Sequence, residues 1–426
     1  DSPYRDYYEG DLVQPRYEDP DAEMAQVKAP AGMILRLTPD GKQVQAVVGG
    51  LHDAADLAFD ELGELFTQDS EAAADAGLPW FRHAAVYHVL PGAEYGWRSG
   101  SAKWPEHFVD RLPPTLETGR GQVTGMTFYH HYAFPEEYRN SLFIANWTLG
   151  KISALKLKPS GGSYAATPEL FVDDSSLHVT DLAVGPDGAL YFVTGDQGMA
   201  GGLYRIRWTG KVPPHAKDWG SGLSAVIRQP QLEAAWSRQR IAADKAALAK
   251  DWERSILGVA TSSANPWQYR SRALDLMQLF GPAPTAASLT PLAGAETEQV
   301  RAKAVELMGL HADDETRETL IGLLSDSDRI VCRRACEALA RAGQTPAVDK
   351  LSELLKSDDR HTAWSARRLL ERIPADQWSD RLLAGDHHRL VLQAGLALLV
   401  AQPSPENARR VLDRLTVLAG GFTNDR

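Results

Sequence analysis

Along the first half of the chain apolar residues come in short runs broken by turn residues, the pattern of many short β-strands. Ile34-Leu35-Arg36-Leu37 runs into Pro39-Asp40-Gly41, where glycine supplies the positive φ of a tight turn, so a hairpin is predicted. The same phrase then recurs. Leu57-Ala58-Phe59-Asp60-Glu61-Leu62-Gly63-Glu64-Leu65-Phe66 matches Leu182-Ala183-Val184-Gly185-Pro186-Asp187-Gly188-Ala189-Leu190-Tyr191 position by position. A looser copy lies between them, Thr124-Gly125-Met126-Thr127-Phe128, a longer turn, then Ser141-Leu142-Phe143-Ile144-Ala145.

Repeated strand–turn–strand units of this kind imply about three four-stranded blades of a β-propeller, whereas closed propellers have about four to eight. An open wedge exposes apolar blade faces and unpaired edges, so upstream blades or a partner are expected to complete it.

After Gly210 the segment Lys211-Val212-Pro213-Pro214-His215 interrupts the strand pattern, and the composition turns to Ala, Leu, Arg and Glu. Residues 230–257 read as one or two helices with Leu232, Trp236, Ile241 and Leu248 among their apolar positions. A period of about 31 residues then emerges, within the range of stacked helical repeats. Tyr269-Arg270-Ser271-Arg272-Ala273, Val300-Arg301-Ala302-Lys303-Ala304 and Val331-Cys332-Arg333-Arg334-Ala335 align, followed by Trp364-Ser365-Ala366 and Leu390-Val391-Leu392-Gln393-Ala394. The constant Ala marks close helix approach. Met277, Met308, Leu339, Leu370 and Leu398 follow on the same face. Ser325-Asp326-Ser327-Asp328 and Ser357-Asp358-Asp359 suit helix N-caps. These helix pairs resemble HEAT repeats, which act as curved scaffolds for protein partners.

The predicted fold class is therefore multidomain β + α, a partial β-propeller followed by an α-solenoid. The expected boundaries are 1–210 for the blades, 211–264 for a linker with bracing helices and 265–420 for the repeats. At 426 residues the chain is too long for one ordinary core. A net charge of −11 argues against a nucleic-acid groove, and no apolar stretch is long enough for a membrane span. The chain opens Asp1-Ser2-Pro3 without a signal peptide, and a fragment of a longer protein is expected. Cys332 and Cys336 form neither a haem motif nor a paired zinc motif and read as small buried thiols.

Tyr95-Gly96-Trp97-Arg98, Leu112-Pro113-Pro114, Thr124-Gly125-Met126-Thr127-Phe128-Tyr129, Leu142-Phe143-Ile144-Ala145-Asn146-Trp147, Thr180-Asp181-Leu182-Ala183-Val184-Gly185-Pro186-Asp187-Gly188 and Gly202-Leu203-Tyr204-Arg205-Ile206 together resemble the glucose/sorbosone dehydrogenase family. The likeness is greatest to its large planctomycete and verrucomicrobial type, which joins the propeller to HEAT repeats. The resemblance implies a periplasmic or extracellular oxidoreductase acting on carbohydrate-type alcohols, with pyrroloquinoline quinone held over calcium. It also sets expectations residue by residue. His52-Asp53 stands where the family usually has Arg-Asn, His178 and Thr180 stand where it has a basic pair, and Thr148 lies near its strand-end basic residue. The family's catalytic His belongs to a blade this sequence does not contain. The alternative is a non-catalytic carbohydrate- or protein-binding scaffold with a degenerate propeller site.

Two residue clusters carry candidate chemistry. Asp69, Glu71 and Asp75 follow a predicted strand and offer hard oxygen ligands of the kind calcium takes, the alternative being a solvated acidic loop. Trp80, Trp97 and Trp104, with His88 and also His83 and His107, form a prospective sugar-stacking surface, the alternative being aromatics that fill inter-blade cores. His130-His131 reads as packed or hydrogen-bonded, because adjacent strand residues face opposite ways.

Overall fold

The computed structural model describes residues 32–71, 81–97, 106–196, 198–214 and 218–419, which fall into two compact units. The first runs to Ala283 without residues 107–112 and 161–163. The second comprises those two short segments and the chain from Pro284 onward.

In the first unit β1 (Gly32–Leu37) and β2 (Val44–Leu51) form the expected hairpin, with Gly41 at φ 69°. Two four-stranded antiparallel meanders follow, β3 (Ala54–Phe59), β4 (Leu65–Asp69), β5 (Ala84–Val89), β6 (Leu116–Gly119) and then β7 (Val123–Tyr129), β8 (Ser141–Asn146), β9 (Lys151–Ser160), β10 (Ser163–Asp173). The last sheet has three strands, β11 (Val179–Val184), β12 (Leu190–Asp196) and β13 (Met199–Ile206), where four were expected. Pro213 and Pro214 come soon after β13 and have no amide hydrogen to extend the ladder.

The sequence repeat is a repeat of hydrogen bonds. At the β3–β4 turn the Asp60 amide donates to the Glu64 carbonyl (3.0 Å) and the Gly63 amide to the Asp60 carbonyl (3.1 Å), and at the β11–β12 turn the Gly185 amide donates to the Ala189 carbonyl (3.0 Å) and the Gly188 amide to the Gly185 carbonyl (2.9 Å). Strand β7 packs against both β3 and β11, as inner strands of neighbouring blades do. These seams are polar. The Gln68 amide donates to the carbonyls of Thr124 (2.7 Å) and Gly125 (3.0 Å), the Thr124 hydroxyl to the Val179 carbonyl (2.7 Å), and the Met126 amide to the Asp56 carboxylate (2.7 Å). Gly125 is required there, since a Cβ would lie 2.6 Å from Asp181 Cα.

Between the sheets lie two apolar cores. Phe66, Val86, Met126, Phe128, Leu142 and Leu155 fill one, while Tyr129, Phe143, Ile152, Val179, Leu190 and Phe192 belong to the other. On β1, Met33, Leu35 and Leu37 are 43%, 46% and 57% exposed, and Leu203 on β13 is 71% exposed. These are the uncovered apolar faces expected of an open wedge.

Helices α1 (Leu223–Arg228), α2 (Ala235–Leu248), α3 (Trp252–Thr261) and α4 (Trp267–Phe280) complete the first unit. Gln231, at φ 52°, ties them to the blades. Its side-chain amide donates to the Phe128 carbonyl (3.0 Å) and accepts from the His130 amide (2.5 Å), so it caps the end of β7 like a strand residue. Helix α4 packs on α3 and α1. The Trp252 indole bonds the Gly281 carbonyl at 2.7 Å just beyond its end.

The second unit contains α5 (Ala286–Leu289), α6 (Glu298–Met308), α7 (Asp314–Leu323), α8 (Arg329–Arg341), α9 (Ser352–Leu355), α10 (Arg360–Leu370), α11 (Ser379–Leu383), α12 (His388–Ala401) and α13 (Pro405–Leu418). Helices α6, α8, α10 and α12 stack in succession. Ala304, Ala335, Ala366 and Ala394 are fully buried along this stack, as is Ala273 on α4. Asp328 caps α8, Asp359 caps α10, and Asp313 closes a capping box on α7. Cys332 and Cys336 are free and buried. Burial pushes the Cys332 thiol up to about 11 and Cys336 well above its ordinary value.

Charged residues in the same register form a buried ladder. Arg301 binds Asp326 through two 2.8 Å bonds, Lys303 and Arg334 converge on Glu306, Arg333 pairs with Glu337, and Arg368 with Glu371. Arg367 also pairs with Asp110 inside this unit. The sequence register located these residues, but not their partners.

Candidate functional site

Antiparallel meanders put their turns at two opposite ends. One end carries the connections β2–β3, β4–β5, β6–β7, β8–β9 and β10–β11, and with them His52, Asp53, Glu71, Gln122, Thr148 and His178. Asp69 is fully buried at the end of β4. Its Oδ1 accepts from the amides of His52 (3.0 Å) and Asp53 (2.7 Å), and its Oδ2 lies 3.0 Å from the His52 amide. Glu71 Oε2 accepts from the Gly121 amide at 2.7 Å. Both carboxylates thus splice one loop to the next.

Neutral polar groups also stand at this end. Thr148 Oγ1 accepts from the Gln122 amide (2.9 Å), and Asn146 bridges the Arg120 carbonyl and the Leu149 amide, each at 3.0 Å. Trp147 and His178 pair ring to ring at 4.7 Å. The Trp147 indole donates to the Gly195 carbonyl at 3.0 Å. His178 Nδ1 lies 3.3 Å from the Trp147 carbonyl, which can only accept, so this contact makes Nδ1 the donor and leaves Nε2 as an acceptor. Trp147 and His178 are half-buried, so ring surface remains open to solvent. The sequence reading treated Trp147 as part of a motif and missed this pairing, which depends on β8 and β11 being neighbours.

A tri-anionic quinone needs cations, and bidentate guanidinium above all. The arrangement here does not fit it. Of the cations at this end, the Arg120 guanidinium stacks on the Phe81 ring at 4.7 Å, Arg82 is half-buried on the β4–β5 connection and Lys151, which opens β9, lies 3.9 Å from Asp173, while Asp53, Asp69 and Glu71 add negative charge. Among the described residues no three His, Cys, Asp or Glu side chains gather as a metal site. Asp69 ends β4 and Glu71 follows on the same connection, but the first binds the amides of His52 and Asp53 and the second the Gly121 amide, and Asp75 lies outside the described residues.

The aromatic candidates are placed differently from one another. His88 is 1% exposed, its Nε2 is 2.9 Å from Glu64, and its ring stacks on Phe66 at 5.1 Å. That is a core position, not a sugar-stacking one. Trp97 is 3% exposed, 5.1 Å from the His52 ring, and donates its backbone amide to the Gly50 carbonyl. Trp80 and Trp104 lie outside the described residues. His83 packs on Phe81, and His107 belongs to the second unit. His130 stacks on Phe128 and lies 2.9 Å from Asn140 Oδ1. His131 accepts from the Ala133 amide at 3.1 Å, and burial lowers it to about 4.

Residues 262–371 match the family model for HEAT repeats. This stretch is a HEAT-repeat array. No curated protein matches the chain in sequence. Among solved structures, a glucose dehydrogenase is 21% identical, with 42% of this chain and 55% of that one covered, at a TM-score of 0.35. The quinone-bound aldose sugar dehydrogenase of Streptomyces coelicolor is 19% identical, with 42% and 52% covered, at 0.33. The quinone domain of pyranose dehydrogenase from Coprinopsis cinerea is 12% identical, with 39% and 59% covered, at 0.27. The chain spans about half the length of these structures. Among the described residues no helix is long and apolar enough to cross a membrane.

Proposed function

We propose that this chain is a non-catalytic binding scaffold working outside the cytoplasm, whose propeller blades take a neutral carbohydrate while its HEAT repeats dock a protein. The observation that carries this reading is the strand-end face. It pairs the Trp147 and His178 rings beside Gln122, Thr148 and Asn146, and its carboxylates at Asp69 and Glu71 already accept backbone amides. Ring faces suit the C–H side of a sugar, and neutral amides and hydroxyls suit its hydroxyl groups. Titrating the chain with glucose and short glucans, followed by tryptophan fluorescence, tests it. Saturable binding lost in Trp147→Ala supports the reading, and binding indifferent to that substitution overturns it.

A second reading has its own observation, the exposed apolar residues of β1 and β13. Additional blades would cover Met33, Leu35, Leu37 and Leu203. In such a completed propeller, oxidation of a carbohydrate alcohol would rely on residues these blades lack. Co-purification with a blade-supplying chain that confers aldose oxidation would favour this alternative.

A further inference from the structure

At the opposite end of the blades, the β3–β4 and β7–β8 turns and helices α1 and α4 enclose a cleft. Its lining includes Glu61, Tyr132, Arg139, Trp267, Tyr269 and Arg272. The cleft exists because of local chemistry already described: the longer β7–β8 turn carries Tyr132 and Arg139 outward, and Gln231 pins α1 and α2 to the end of β7.

Its charge is unbalanced. The Arg139 guanidinium lies over the Tyr132 ring, 4.4 Å from the centroid, which satisfies its flat face and leaves its edge donors unused. Among the described residues neither Arg139 nor Arg272 has a carboxylate partner or a side-chain hydrogen bond, and neither does Arg228 at the end of α1. All three are half-buried. Burial raises the Tyr132 phenol above its ordinary value, and Arg139, Arg272 and Arg228 act electrostatically against that rise, so all three cations lie within electrostatic reach of this phenol. Glu61 is the acid in the lining. In the second unit buried arginines pair closely with carboxylates, as Arg301 with Asp326 and Arg333 with Glu337 show. Partly desolvated guanidinium groups of like charge, converging without such partners, form a receptor for an oxyanion.

We propose that this cleft binds a small ligand bearing a carboxylate or phosphate group, held by Arg139 and Arg272, with its remaining body against Trp267 and Tyr269. This proposal is independent of the strand-end face, which would take an uncharged sugar at the other end of the blades.

The test titrates the full chain with inorganic phosphate, with glucuronate and with glucose, by calorimetry and tryptophan fluorescence. Phosphate and glucuronate separate the two sources of the anion, and glucose reports the strand-end face. Saturable binding of either anion is expected, weakened about 10- to 100-fold in Arg139→Gln and in Arg272→Gln, the loss expected for one charge-assisted hydrogen bond. Arg205→Gln, whose guanidinium pairs with Asp187 and is not part of the cleft lining, should leave it unchanged. Melting curves identify a variant that fails to fold, and the other variant then carries the test. Absence of saturable anion binding, or binding that survives both substitutions, overturns the proposal.

Discussion

Replacing Arg301 by Met should break a buried joint of the solenoid. Arg301 is 13% exposed at its side chain and Asp326 is 8% exposed. Two 2.8 Å bonds join them, and Arg301 Nη1 also donates to the carbonyls of Ala295 (2.8 Å) and Glu296 (3.0 Å). Asp326 in turn accepts the Asp328 amide at 2.8 Å, which holds the N-cap of α8. The Met variant strands a buried carboxylate and two carbonyls, a loss of about 3–5 kcal/mol. For a unit of this size that lowers the melting temperature by on the order of 10 °C. Calorimetric and urea unfolding of Arg301→Met, Asp326→Leu and the double variant would measure the coupling. The double variant should recover much of the loss. Burial favours the protonated form of Asp326, but Arg301 and the Asp328 amide outweigh it and hold the carboxyl below its ordinary value. Its contribution is therefore present above the unfolded value near pH 4 and disappears as pH falls through the lower folded value. In Arg301→Met, where the guanidinium no longer offsets burial, that acid loss should shrink or disappear. Additive single effects, or a loss under about 1 kcal/mol for Arg301→Met, would refute the reasoning.

Other outcomes follow from the same packing. Ala335→Leu should overpack the α6–α8–α10 stack by about 1–3 kcal/mol, read as a lower melting temperature of the repeats. His131, lowered to about 4 by burial, should cost the propeller unit up to about 3 kcal/mol as pH falls from about 6.5 to 4, because the unfolded chain takes the proton first. His131→Gln should flatten that dependence in unfolding curves. Cys332 and Cys336 should resist thiol reagents in the native state and react on unfolding, since burial raises both thiols.

Much of the architecture is legible in the sequence because it is repeated. The glycine turns at Gly63 and Gly188 and the Ala at 304, 335 and 366 are local or periodic signals, and one copy checks another. The ladder partners and the Gln231 anchor are not legible. Gln231 reaches Phe128 and His130 across about a hundred residues, and no periodic signal announces a side chain that mimics a strand. The candidate site fails in part for the same reason. His88 and Trp97 have the residue types of a binding surface, but strand β5 turns His88 onto Glu64 and Phe66, and Trp97 packs against His52. The Trp147 and His178 pair is assembled by blades that meet only in three dimensions.

The central claim proposed here is that the strand-end face holds no quinone cofactor: the family resemblance would put cationic ligands at His52, Thr148, His178 and Thr180, and Asp53, Asp69 and Glu71 oppose a tri-anion. Each missing charge-assisted bond forfeits about 1.5–3 kcal/mol. The most direct measurement is a calorimetric titration of the chain with pyrroloquinoline quinone in the presence of calcium, followed by an aldose oxidation assay with an artificial electron acceptor. No saturable binding displaceable by neutral sugar and no turnover are predicted; micromolar quinone binding that sugar displaces, with sustained oxidation, would contradict the account.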